Sequence, residues 1–313
     1  MTAPANAIPT GRVVISLDAG GSFLKSGVVS AAGRLVGSAQ AAPSPSDGSA
    51  RVILDAMAAR IDGHRPEVAG LRLAGVAVAM PGPFDYRQGV SYMRGQHKFE
   101  SLYGVEVGAA LSARLPWLAP QALRFVNDAA AFAMGEVRFG AGRNARRVVV
   151  ITLGTGCGSA FAVGGRLVRE GRGVPEDGYV YRLPYEGATL DDWLSKRGVL
   201  RLWRELAPAR WQGEAQDVAD VAALARQGVR PAREVWARFG RHCGLALSGA
   251  LAGFGPELLV VGGQIARSLD LYREAFEGAL AECCGARAPR LVAAADLDGA
   301  ALLGAASVVF AEA

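Results

Sequence analysis

Two kinds of hydrophobic run alternate along the chain. Val13–Asp18 is a short apolar run ending in Asp-Ala-Gly-Gly-Ser, and Phe23–Val29 resumes in an extended pattern, so together they predict a hairpin. Gly33 then turns the chain into a third strand over 34–41. Val52, Leu54, Met57 and Ile61 instead recur on one face and predict a helix over 48–61 with Asp47 as its cap. Further strands are predicted at 71–79, 124–126, 147–153, 258–261 and 290–294. Helices are predicted at 107–115 and 129–139, through most of 190–253, and at 265–280 and 300–312. Between 81 and 104 the chain is irregular, and loops of that length are usually functional or disordered.

The pattern also repeats. Val14-Ile15-Ser16-Leu17 before Asp-Ala-Gly-Gly-Ser is echoed in the second half by Val150-Ile151-Thr152-Leu153 before Gly-Thr-Gly-Cys-Gly-Ser. Both copies read as strand, glycine-rich turn, strand, which favours a duplicated βββαβα-like core with a cleft between the halves. Length agrees, because 313 residues exceed one compact core of usual size and suggest two domains of about 100–200 residues each. They are expected at 10–126 plus 299–313 and at 127–298.

Composition narrows the function classes. Apolar residues make up 51% and charged residues 20%, an ordinary globular balance with no case for disorder. The net charge of +5 is carried by scattered arginines, with only Lys25, Lys98 and Lys196 as lysines, and no basic run points to nucleic acid. The most apolar stretch, 245–261, is broken by Gly249, Gly253, Gly255, Pro256 and Glu257, so no membrane span is predicted. With no secretory pattern at the start and four cysteines that lack metal or disulfide spacing, a reducing cytoplasm is expected.

The two glycine turns carry the chemistry. Glycine tolerates positive φ and brings successive amides close to a ligand, an arrangement that suits phosphate oxygens, although either turn alone also reads as a plain hairpin. The helix-linked phosphate loops do not fit. Leu24 stands where a Walker A motif needs Gly before Lys25, Ser159 stands where a dinucleotide motif needs Gly or Ala, and both segments continue as strands. Asp18, beside the first turn, is placed to hold Mg²⁺ directly or through water, or to close an Asx turn. Asn127 and Asp128 read either as a helix cap and first-turn acid or as ligand-facing groups at a strand's C-terminal end, with Asp128 accepting a hydroxyl proton. Glu176, Asp177, Asp191 and Asp192 read as solvated or capping acids that gain meaning only around a polyhydroxylated ligand. Gly262-Gly263 after a strand opens a helix at Ile265, where a flat ring could approach. His64 and His242 read as ordinary helix residues, and only His97, in the long loop, reads as a ligand contact.

Taken in order, Leu-Asp-Ala-Gly-Gly-Ser, Asn-Asp-Ala-Ala-Ala-Phe-Ala-Met-Gly-Glu at 127–136, Leu-Gly-Thr-Gly-Cys-Gly at 153–158 and Val-Val-Gly-Gly at 260–263 resemble the ROK (repressor, open reading frame, kinase) family of sugar kinases. The resemblance implies an α/β fold of two ribonuclease-H-like domains of the actin-like ATPase type, with ATP and Mg²⁺ as cofactors, a sugar as substrate and a homodimer. It places Asp18, Gly20, Gly21, Ser22 and Lys25 at the first phosphate motif, with Asp18 associated with Mg²⁺. Gly154, Thr155, Gly156 and Gly158 fall at the second phosphate motif, and Gly262 and Gly263 at the adenosine. It makes Asp128 the catalytic base and Asn127, Glu176 and Asp191 sugar contacts.

Two departures stand out. Tyr179 replaces the family's zinc-binding histidine and 180–189 has none of the zinc cysteines, so no structural zinc is expected. The family's Pro-Asn-Leu sugar contact is also absent, with Gln96 or His97 as substitutes in Arg94-Gly95-Gln96-His97-Lys98. Repressor members carry a winged helix before the first strand, for which 12 residues are too few, so no nucleic-acid partner is expected. The reading is an ATP-dependent hexose kinase with glucokinase-like chemistry. The alternative is a non-catalytic sugar- or nucleotide-binding regulatory protein of the same fold.

Overall fold

The first apolar run forms strand β1 (Arg12–Ala19) in a computed structural model that describes residues 11–95 and 98–312. It is followed by β2 (Phe23–Ser30), β3 (Leu35–Pro43), α1 (Ala50–Asp62), β4 (Arg72–Met80), α2 (Val107–Arg114), β5 (Leu123–Asn127) and α3 (Asp128–Arg138). The second half holds β6 (Arg147–Leu153), β7 (Cys157–Val163), β8 (Arg166–Val168), α4 (Lys196–Leu206), α5 (Val218–Arg226) and α6 (Arg230–Phe254). Then come β9 (Leu258–Gly262), α7 (Leu269–Cys284), β10 (Arg290–Ala293) and α8 (Ala300–Glu312).

The chain divides into two compact units, one of Met1–Gly135 with Asp298–Ala313 and the other of Glu136–Leu297. The division falls inside α3, several residues beyond the 126/127 boundary expected from the sequence. Packing explains the difference: Ala131, in the middle of α3, lies in one buried cluster with Ala77, Ala79, Leu302 and Ala305, so most of the helix belongs to the first unit.

In the first unit the sheet order is β3-β2-β1-β4-β5. β1 runs antiparallel to β2 and parallel to β4, and β4 is parallel to β5. Alternate residues of β1 go to opposite layers. Val13, Ile15, Leu17 and Ala19 pack with Ile53, Met57 and Ile61 of α1 and Leu111 of α2, whereas Val14 packs with Leu302 and Ala305 of α8. A strand covered on both faces needs apolar residues at every position, which is why β1 reads as an unbroken run. Its exception, Ser16, donates its hydroxyl to Leu302 O at 2.8 Å.

The second unit repeats this plan. Its sheet order is β8-β7-β6-β9-β10, with β6 antiparallel to β7 and parallel to β9, and β9 parallel to β10. The echoed sequence therefore marks the same strand pair, β1–β2 and β6–β7, in both sheets. Val149, Ile151 and Leu153 of β6 share their core with Trp203, Trp236 and Phe276. At the start of this unit Glu136 is fully buried, and three backbone N–H groups satisfy it: Ala141 and Ala295 donate to Oε2 at 2.9 and 3.0 Å, and Asp296 donates to Oε1 at 3.0 Å.

Local readings need two corrections. Ser49, not Asp47, caps α1, its hydroxyl accepting Val52 N–H at 3.5 Å. The segment after Gly263 is a 3₁₀ turn (Gln264–Ser268), and α-helix begins only at Leu269. His64, read as an ordinary helix residue, is fully buried, its Nε2 2.9 Å from Ser26 Oγ and its Nδ1 2.9 Å from Glu67 Oε1, tying β2 to the segment that follows α1.

Helices α3 and α8 meet at glycines. A Cβ on Gly135 would overlap the Ala300 carbonyl, and one on Gly304 would overlap the Ala131 carbonyl. Overpacking of this kind costs about 1–3 kcal/mol. Gly304→Ala is therefore expected to lower the thermal unfolding midpoint by several degrees, and an unchanged midpoint would contradict this packing.

Candidate active site

The first unit brings two acids to one end of its sheet. β1 and β5 lie on either side of β4 and parallel to it, Asp18 opposite Ala79 and Asn127 opposite Met80, so Asp18 and the Asn127-Asp128 pair stand at the C-terminal ends of parallel strands. Ligands gather at such ends in open α/β sheets. Asn127 is buried and fills the capping role: its Oδ1 accepts Ala130 N–H at 3.0 Å, and its Nδ2 donates to Tyr86 Oη at 3.0 Å. Tyr86 in turn donates to Met80 O at 3.2 Å, which fixes the amide's orientation. Asp128 is the first residue of α3, and its Oδ1 accepts Ala129 N–H at 2.8 Å.

The charges at this corner do not balance. Burial and then the neighbouring Asp128 push the Asp18 carboxyl up from 3.8 to about 7, against the opposing pull of Lys25 and Lys98. Lys25 sits across from Asp18 in the β1–β2 register, and its ammonium is held by Asp298 at 2.8 Å. Asp298 was not legible as a site residue, because it reaches this corner from the segment just before α8.

The first glycine turn follows directly. Neither Gly20 nor Gly21 has a positive φ, so the left-handed freedom expected there is not what the turn uses. Closeness is. A Cβ on Gly20 would lie 2.8 Å from Phe23 O, and one on Gly21 would lie 3.1 Å from the Lys98 side chain. Ser46 Oγ donates to Gly21 O at 2.6 Å and Ser44 N–H to Ser22 O at 3.0 Å, while Ser22 itself is exposed.

In the second unit the turn Gly154–Gly158 is tied down on several sides. Gly154 N–H donates to Gly156 O at 3.0 Å, and Gly154 O accepts Lys196 N–H at 2.8 Å. Thr155 is exposed at the tip. Gly263 has φ +81°, and a Cβ there would overlap the Leu153 backbone, so the glycine pair after β9 packs on the root of this turn. Asp191, expected at a sugar, has both carboxylate oxygens engaged: Oδ1 accepts Cys157 N–H at 2.6 Å and Oδ2 pairs with Arg197.

Glu176 lies in a 3₁₀ turn (Glu176–Gly178) and is exposed. Ser159 anchors that turn to β7, donating to Gly178 O at 2.7 Å and accepting Val180 N–H at 2.9 Å. A surface depression of about 710 Å³ there is lined by Leu167, Arg169, Glu170, Pro175 and Glu176, among others. Gln96 and His97 lie outside the described residues. Among the described residues no group of three or more His, Cys, Asp or Glu side chains is placed to hold a metal, and no helix is long and apolar enough to cross a membrane.

The ROK family model matches residues 14–312. The chain belongs to the ROK family. The resemblance read from the ordered motifs is thus borne out, and the fold is the actin-like ATPase fold of ROK hexokinases and glucokinases. This ROK chain is 27% identical over 285 residues to a glucokinase of Streptomyces coelicolor, covering 83% of this chain and 84% of that one. It is 33% identical over 178 residues to the bifunctional enzyme NanE/NanK of Brucella melitensis biotype 1, a match that takes in 55% of this chain and 32% of that relative's length. A ROK family glucokinase from Streptomyces griseus, solved in complex with glucose and AMPPNP, matches with a TM-score of 0.75 at 25% identity, over 95% of this chain and 98% of that one.

The raised Asp18 carboxyl has a sign that can be measured. Below about pH 4 it is protonated in folded and unfolded chains alike. Between about pH 4 and 7 the unfolded chain releases the proton first, so stability falls as pH rises through that window. Asp18→Asn removes this loss. The variant is expected to gain roughly 1–4 kcal/mol over the wild type on going from pH 4 to pH 8, read from unfolding midpoints across pH. Parallel pH curves for the two proteins would contradict the shift.

Proposed function

We propose that this ROK protein is an ATP-dependent sugar kinase that moves the γ-phosphate of ATP to a hydroxyl of a hexose or hexose derivative. The observation that carries the reading is the placement of Asp128 on the first turn of α3, at the same strand-end corner as Asp18 and the first glycine turn. The glucokinases among its relatives, one solved with glucose and AMPPNP, support the same substrate pair.

Phosphoryl transfer asks little covalent chemistry of the protein and much positioning and charge stabilisation. In this reading Asp128 accepts the hydroxyl proton as the sugar oxygen attacks the γ-phosphorus in line. Asn127 orients a neighbouring hydroxyl, since its amide keeps one N–H and one lone pair beyond its bonds to Tyr86 and Ala130. Glu176 is a further sugar contact. The amides of Gly20–Ser22 and those of the Gly154–Gly158 turn other than Gly154 and Cys157 receive phosphate oxygens, Lys25 adds positive charge on the first turn's side, and Gly262 and Gly263 leave room for the adenosine. The water-excluding closure that makes the sugar the nearer acceptor belongs to the same reading. So does a cytoplasmic homodimer.

The corner fits Mg²⁺ in one respect: a carboxyl raised by its own burial and a like-charged neighbour is one that a divalent cation returns to its ionised form. Asp18 would hold the ion, directly or through water. When bound, Mg²⁺ supplies neutralisation of phosphate charge.

ADP release measured over a panel of sugars tests the reading. Sugar-dependent turnover is expected in the wild type, and Asp128→Ala is expected to lower it by about 10²–10⁴-fold while ATP affinity stays near the wild-type value. Near-normal turnover in the variant rejects Asp128 as the base. Sugar binding without any ADP release in the wild type replaces the kinase with a binding or regulatory protein.

A further inference from the structure

Of the three lysines, Lys98 has no part in the proposed reaction, yet it lies against the first glycine turn. A Cβ on Gly21 would sit 3.1 Å from Lys98 Cδ, 3.6 Å from its Cβ and 4.0 Å from its Cγ, so the methylene stem runs over the bare face of that glycine. A side chain at position 21 would push the stem away. The charge at the end of the stem acts on the same corner, where it draws the Asp18 carboxyl down against the upward push of burial and Asp128.

The next residue holds Lys98 in that place. Phe99 is fully buried in the core of the first unit and has φ +56°, a left-handed backbone that a bulky residue adopts only where its surroundings over-determine it. Its N–H donates to Ser46 O at 2.6 Å, and the hydroxyl of the same Ser46 donates to Gly21 O at 2.6 Å. Ser101 Oγ then donates to Gly48 O at 2.7 Å. One loop, 44–48, thus grips both the glycine turn and the backbone beside Lys98. The other two lysines are engaged elsewhere, the Lys25 ammonium by Asp298 at 2.8 Å and the Lys196 ammonium by Asp217 at 3.0 Å. Among the described residues no acid forms an ion pair with Lys98.

From this we infer that Lys98 is a phosphate-binding residue of the first glycine turn, its ammonium taking an oxygen of the nucleotide's terminal phosphate beside the amides of Gly20–Ser22. The inference rests on the kinase reading for the identity of that ligand. An ammonium is a compact charge that suits a phosphate oxygen, and a lysine already laid along the turn loses less freedom on binding than one projecting into solvent. Phosphoryl transfer spreads negative charge over the oxygens of the moving group, so a cation at that point lowers the barrier as well as strengthening binding.

Nucleotides that differ in the terminal phosphate test this. AMPPNP and ADP affinities are measured by calorimetry on the full chain at one fixed Mg²⁺ concentration, and kcat and KM for ATP and for the best sugar of the panel are measured alongside, in wild type, Lys98→Gln and Lys98→Arg. Lys98→Gln is expected to weaken AMPPNP by about tenfold and to lower kcat/KM for ATP by at least as much, with ADP affinity and the sugar KM within about twofold of wild type. Lys98→Arg keeps the charge and is expected to recover part of both losses. Equal weakening of AMPPNP and ADP, a change confined to the sugar KM, an arginine variant no better than the glutamine one, or no change at all overturns the assignment. A wild type that binds AMPPNP but turns over no sugar overturns the kinase reading, and the comparison of AMPPNP with ADP then decides this assignment by itself. A wild type that does not bind AMPPNP overturns both.

Discussion

The structure of the first unit turns on a confined pair of carboxylates. Parallel strands align their C-terminal ends, and this chain ends two of them, β1 and β5, at or next to an aspartate. Burial of Asp18 first, and the neighbouring charge of Asp128 second, raise the cost of ionising it and lift the Asp18 carboxyl to about 7. A protein would be more stable without such an arrangement. A carboxyl perturbed by burial and a charged neighbour at a strand end marks a candidate functional site.

Around that corner the fold supplies rigidity. β1 is covered on both faces, α3 is seated against α8 by two glycines, and Asn127 is fixed by its cap and by Tyr86. In the second unit the same strand plan carries a different fastening. There the glycine turn is secured from outside by Lys196 and Asp191, whereas the first turn is secured by Ser44 and Ser46. The duplication conserves the backbone path and leaves each copy to hold its own turn.

Much of this was legible in the sequence. The unbroken apolar run before Asp18, its echo before Gly154 and the apolar stripe of α1 are direct consequences of burial, and each strand and helix they predicted is present within a few residues. The family was readable too, because four ordered motifs span the chain. What escaped was whatever depended on contacts distant in sequence. Ser49 displaced Asp47 as a cap because both residue types cap well and only geometry chooses between them. Of the two reasons for glycine in the first turn, positive φ is not used, and the tightness around Phe23 and Lys98 comes from contacts that the motif alone does not reveal. Asp298 and Arg197 carried no motif, and His64 gave no hint that Ser26 and Glu67 would enclose it. Asp191 was visible as an acid in the right stretch, yet its partner Cys157 is remote in sequence, and only the fold shows what its carboxylate holds.

The coupling between the two aspartates can be read most directly from the Asp18 carboxyl ¹³C resonance followed across pH by NMR, in the wild type and in Asp128→Asn. The account predicts a wild-type midpoint near 7 that moves down when the neighbouring charge is removed, while burial keeps it above 3.8. A wild-type midpoint in the ordinary aspartate range, or one that does not respond to Asp128→Asn, would contradict it.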